Sequence, residues 1–122
     1  VNLLKAAGKS NRRMRSIPRS IGLVLKEIKA RLKEVYADNL KGIVLYGSYA
    51  RGEATEGSDI DLIVLLKVID EFMVELERCS REVHRIDFRY DTLVSAIPLR
   101  ERDFKERNLP LILNARREGI LL

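Results

Sequence analysis

The 122-residue chain has no Trp, a single Cys and a single His. One Cys excludes an internal disulfide and fits a reducing, cytoplasmic setting. One His with no second His or Cys at ligand spacing excludes a zinc site and offers no Ser/His/Asp triad. No apolar run approaches the roughly 20 residues that span a bilayer, so no membrane role is expected. The start does not read as a secretion signal, because its basic residues follow the apolar stretch rather than precede it. Acidic residues are missing from positions 1–20, which hold Lys5, Lys9, Arg12, Arg13, Arg15 and Arg19. With a net charge of +5, the remainder therefore carries −1, and the basic character belongs to an N-terminal arm. Residues 1–16 are read as that arm, able to meet nucleic acid or another polyanion, and 17–122 as one domain.

Within the domain, Ile21, Val24, Leu25, Ile28, Leu32, Val35 and Tyr36 recur every three or four residues. They mark the buried stripe of a helix of about five turns. Ser16 is a candidate cap at its start with Pro18 in the first turn, and Asp38-Asn39 closes it. Gly42–Tyr46 is short, apolar and β-branched, so it reads as a buried strand. Ser48–Gly52 reads as a short helix and Asp59–Leu66 as a second strand. A further helix is expected from about Asp70 to His84, with Phe72, Met73, Leu76, Cys79 and Val83 inward. Arg85–Tyr90 alternates as a strand, with Asp87 facing away from Ile86 and Phe88. Val94–Ile97 suggests a short strand stopped by Pro98. One or two helices broken at Pro110 follow, with Gly119 as a stop before Ile120. This order predicts an α/β (α+β) layer structure, a small mixed β-sheet flanked by helices.

Two features within Tyr46–Leu62, and a third at Asp87, have a use in phosphoryl chemistry. Asp59 and Asp61 lie two apart on a strand, on one face and about 6.5–7 Å apart along the backbone. Two carboxylates so placed can reach one hard cation, since Mg²⁺ takes one or two carboxylates plus phosphate and water. Gly47-Ser48 follows a strand and opens a helix, where a glycine admits a phosphate close to the backbone and free N–H groups face it. Neither G-x-x-x-x-G-K-[ST] nor G-x-G-x-x-G is present. Asp87, on the expected next strand, is a third carboxylate that could bind metal and take a proton from an attacking hydroxyl. Each feature alone is weak.

Together, Gly47-Ser48, ten residues, then Asp59-x-Asp61 resembles the G-S-x₁₀-D-x-D hallmark of the DNA polymerase beta-like nucleotidyltransferase superfamily. More narrowly, G-S-Y-A-R-G-E-A-T-E-G-S-D-I-D-L-I-V resembles the minimal nucleotidyltransferase (MNT) group, antitoxin partners of HEPN toxins. The likeness is strongest over Ile43–Leu66 and runs more loosely through Ile86-Asp87-Phe88 to Glu118-Gly119-Ile120-Leu121. It implies that Gly47 and Ser48 hold a nucleoside triphosphate, ATP by preference. It implies that Asp59, Asp61 and Asp87 bind Mg²⁺, with Asp87 as base, and that Arg51 steadies a phosphate or the leaving pyrophosphate. A salt link from Arg51 to Glu53 or Glu56 is the competing role. Tyr49 and Tyr90 are candidates to pack near a base.

The group implies transfer of AMP to a hydroxyl of a HEPN-type toxin, the acceptor site being completed by a partner chain or a second copy. Two alternatives stand beside it: transfer to a small molecule, as in aminoglycoside-modifying relatives, and a non-catalytic module that binds toxin or nucleic acid.

Overall fold

The computed structural model describes Met14 and residues 16–122. The basic arm therefore lies outside the described residues apart from Met14 and Ser16. Helix α1 (Arg19–Tyr36) leads through a 3₁₀ turn (Ala37–Asn39) into β1 (Leu40–Tyr46), and α2 (Ser48–Arg51) follows. Next come β2 (Ile60–Leu66), α3 (Phe72–Asp87), a 3₁₀ turn (Phe88–Tyr90) and β3 (Val94–Arg100). Helices α4 (Glu101–Glu106) and α5 (Pro110–Glu118) precede the short β4 (Ile120–Leu121). The strands form one sheet in the order β3-β2-β1-β4. β1 runs antiparallel to β2 and β4, whereas β2 and β3 are parallel, so the sheet is mixed as expected.

The alternation of side chains along each strand divides the core in two. One face of the sheet, with Ile43, Leu45, Leu62, Val64 and Ala96, packs under α1 and α3 through Ile28, Leu32, Cys79 and Val83. The other face, with Val44, Ile63 and Leu65, packs against Phe104, Ile112 and Ala115 of α4 and α5. β2 is apolar on both faces because it is covered on both. Its Asp61 is the only position in the strand that is not fully buried. Polar ties join α1 to α3: the Tyr36 hydroxyl donates to Glu75 at 2.7 Å, and Arg31 Nε donates to Glu82 at 2.6 Å. Cys79 is a core residue whose thiol burial pushes up to about 12, so it is chemically inert.

Four local expectations are corrected. Arg85–Tyr90 is not a strand: α3 continues to Asp87 and then tightens into the 3₁₀ turn. The spacing Cys79, Val83, Ile86 extends the buried helical face by one more turn, and Phe88, which a strand would have buried, is 87% exposed. Phe72 and Met73 are exposed, because Glu75 takes the inward position facing Tyr36. β3 does not stop at Pro98 but runs through it to Arg100. It is an edge strand, where a missing N–H is tolerated. Finally, α1 starts after Pro18, which occupies the cap position, and Ser16 is not its cap.

Candidate active site

The end of β1, the start of β2 and the loop between them bring the motif residues together. Gly47 has φ 78° and ψ −154°, a conformation open to glycine and costly to other residues. A side-chain carbon at Gly47 would overlap the Asp61 carboxylate, so backbone and carboxylate are in direct contact. Ser48 then opens α2, which closes with Arg51 N–H donating to Gly47 O at 3.1 Å. The return loop is held by Thr55 N–H donating to Ser58 Oγ at 2.9 Å and by Ser58 N–H donating to Thr55 O at 3.0 Å.

Asp59 stands one residue before β2, exposed, and Asp61 is half-buried within it. Burial, and next the charge of Asp59, raise the Asp61 carboxyl above its ordinary range, while Arg51 acts in the opposite sense. Across the sheet Asp61 is in register with Tyr46, whose phenol is raised by burial and by the Asp61 charge. A carboxylate held against a glycine backbone, its charged form disfavoured first by burial and then by the neighbouring Asp59, fits a hard divalent cation.

Arg51 is doubly held. Its Nε donates to Glu53 at 3.0 Å, the local link weighed from sequence, and its Nη1 donates to Glu118 at 3.1 Å. Glu118 ends α5, and its role was missed. The signal was there in Glu118-Gly119-Ile120-Leu121, but the contact spans 67 positions. Gly119 lets the chain close, since a side chain there would strike Ala115 O and Val44.

Asp87 does not join the other carboxylates. It is buried at the end of α3, where its Oδ2 accepts from Val94 N–H at 2.9 Å and lies 2.9 Å from His84 Nδ1. No group of three His, Cys, Asp or Glu able to hold a metal ion forms among the described residues. Asp87 instead fixes the turn from α3 into β3. Asp87→Ala is therefore expected to lower stability by about 1–3 kcal/mol in urea unfolding, because it leaves the buried Val94 N–H unpaired. Unfolding at the wild-type midpoint would show that the bond is dispensable.

Beside Asp59 opens a cleft of about 760 Å³. Ile21, Tyr49, Ser58, Tyr90 and Leu93 line it, which brings Tyr49 and Tyr90 into one wall system as candidates for packing on a flat ligand. The Tyr90 ring is steadied by its hydroxyl donating to Glu27 at 2.5 Å. Glu56, Asp59 and Asp91 also line the cleft, and among the described residues no Lys or Arg does.

Residues 25–112 match the model of the nucleotidyltransferase domain family. Three proteins of Methanocaldococcus jannaschii, provisionally named protein adenylyltransferases, are 35%, 34% and 33% identical to the chain. The matches cover 73%, 61% and 80% of this chain, and 62%, 74% and 93% of the respective relatives. The chain thus spans less than two-thirds of the length of the first of them. Among solved structures, a nucleotidyltransferase-like protein from Sulfolobus solfataricus superposes with TM-score 0.55 at 22% identity, covering 95% of this chain and 85% of the other. A toxin–antitoxin complex with AMP-PNP superposes with TM-score 0.53 at 18% identity, covering 78% and 69%. The MntA–HpeT toxin–antitoxin, carrying two Asp-to-Glu changes, gives 0.55 at 21%, covering 80% and 70%. These structures share the fold. No helix among the described residues is long and apolar enough to cross a membrane.

Proposed function

The chain belongs to the nucleotidyltransferase domain family, and from that premise we propose that it transfers AMP from ATP to a hydroxyl of a partner protein, as an antitoxin acting on a HEPN-type toxin. The observation that carries the reading is the contact of the Gly47 backbone with the Asp61 carboxylate, with Asp59 next to it. It brings residues separated in sequence into one corner, which supports a phosphate- and cation-binding role for them. The provisional adenylyltransferase names of the relatives and the toxin–antitoxin likenesses support AMP and a protein acceptor.

In this reading Asp59 and Asp61 would hold Mg²⁺, which would supply neutralisation of the triphosphate charge. The Gly47-Ser48 turn receives the triphosphate through backbone N–H and hydroxyl donors. The acceptor oxygen attacks the α-phosphorus in line, the bond to the bridging oxygen breaks, and pyrophosphate leaves. Arg51 has five N–H donors and engages two carboxylates, leaving N–H groups for the pyrophosphate oxygens. Glu118 would hold Arg51 in that position. Glu118→Ala is expected to raise KM for ATP by about 3- to 10-fold, consistent with losing about 1 kcal/mol of binding. Glu118→Gln should restore KM, because it keeps the acceptor oxygen. Equal damage in both variants would mean that the charge, not the hydrogen bond, matters.

The test of the proposal is transfer from each α-labelled nucleoside triphosphate, with Mg²⁺, to the co-encoded neighbour protein. Label from ATP on the neighbour, lost in an Asp59→Ala, Asp61→Ala double variant, is expected. A tight complex with no label, unaffected by that variant, would mean the chain acts by binding alone. One observation favours a small-molecule acceptor as a second reading: Glu56, Asp59 and Asp91 line the cleft and suit a cation. Label on an aminoglycoside in the same assay, with none on protein, would select it.

A further inference from the structure

Asp61 has an in-register neighbour on each side of the sheet, Tyr46 on β1 and Ser95 on β3. Adjacent strands lie about 4.8 Å apart, and register partners point their side chains to the same face. Ser95 is exposed and flanked in sequence by buried Val94 and Ala96, whose side chains enter the opposite core. Its hydroxyl therefore stands beside Asp61, on the Asp61 face. A further cation ligand from the neighbouring strand would have to come from position 95. Serine offers a neutral hydroxyl there, a poor ligand for Mg²⁺ and no proton acceptor near neutral pH.

The rest of the chain does not make up the difference. Asp87 is committed to Val94 N–H and His84. No three-membered acidic or histidine group forms among the described residues, and the segment outside them contains no Asp or Glu. Resting on the nucleotidyltransferase reading, we infer that this chain builds its cation site from two carboxylates only, Asp59 and Asp61, with Ser95 where a third would stand. It follows that the cation site itself brings no third carboxylate to serve as base. When the acceptor oxygen bonds to phosphorus, its proton passes to a group outside that site or to water, and pyrophosphate leaves.

The experiment is a Mn²⁺ titration of the full chain without nucleotide, with free Mn²⁺ read by electron paramagnetic resonance and folding checked by circular dichroism. Wild type, Ser95→Ala and Asp87→Asn should bind one Mn²⁺ with similar affinity. Ser95→Asp, or Ser95→Glu if the shorter side chain disturbs folding, should bind at least about tenfold more tightly, since added ligand charge raises affinity. A folded Asp87→Asn that loses about tenfold or more would overturn the inference, because Asp87 would then be a ligand. So would folded position-95 variants no tighter than wild type. Wild type that binds no Mn²⁺, or binds it equally after Asp61→Asn, would instead sink the cation site at Asp59 and Asp61 itself.

Discussion

Gly47→Ala is expected to reduce kcat/KM for nucleoside transfer by about 100-fold or more, the scale on which a misplacement of about 1 Å acts. Two independent features of the turn lead there. The backbone at Gly47, with φ 78° and ψ −154°, lies where a residue with a side chain is strained by about 1–3 kcal/mol. The added methyl would also meet the Asp61 carboxylate. Asp61 cannot retreat easily, because Tyr46 and Ser95 flank it in register and Leu62 is fixed in the core. Relief must come from moving the turn or rotating the carboxylate, and either separates the triphosphate seat from the cation seat. The check is a pair of measurements on one variant, thermal melting and Mn²⁺ affinity. A lower Tm with unchanged Mn²⁺ affinity would show that Gly47 serves the turn and not the site.

How much of this was legible in the chain depends on the range of the interaction. The α1 stripe from Ile21 to Tyr36 and the apolar bodies of β1 and β2 were readable, because burial on one or both faces imposes a period that local sequence displays. The corner of Gly47, Ser48, Asp59 and Asp61 was readable as well, since all four lie within one strand–helix–strand passage. The segment Ile86-Asp87-Phe88-Arg89-Tyr90 was not. Its alternation fits a strand, while Val83 and Ile86 equally continue a helical face, and packing of α3 against α1 and β3 decides between them. Asp87 was misplaced with it: an acid amid apolar residues looks like a ligand until its bond to Val94 N–H is seen. Pro98 misled because only the sheet order reveals that β3 is an edge. The Arg51–Glu118 link and the Asp61–Ser95 register join distant segments, and no local pattern announces either.

Asp61→Asn is expected to reduce transfer by about 10²- to 10³-fold or more, and to do so while stabilising the metal-free protein at neutral pH. The second effect follows from the raised Asp61 carboxyl, caused first by burial and then by the charge of Asp59. The folded state then holds the proton more tightly than the unfolded state. Its contribution to stability is present below the unfolded carboxylate range and is lost as pH rises through the folded value. Above that window the ionised Asp61 opposes folding, and an uncharged amide removes the opposition. The Tm of metal-free Asp61→Asn should therefore exceed that of wild type at pH 7, and the two should converge near pH 3. Added Mg²⁺ or Mn²⁺ should raise the wild-type Tm, by up to about 2.7 kcal/mol of stabilisation at a hundredfold excess over Kd, and leave the variant unmoved. The wild-type gain should shrink as pH falls, because the proton and the cation compete for the same carboxylate. A wild-type Tm indifferent to either cation, with Asp61→Asn retaining transfer, would leave the raised carboxyl as a by-product of burial and move the chemistry away from this corner.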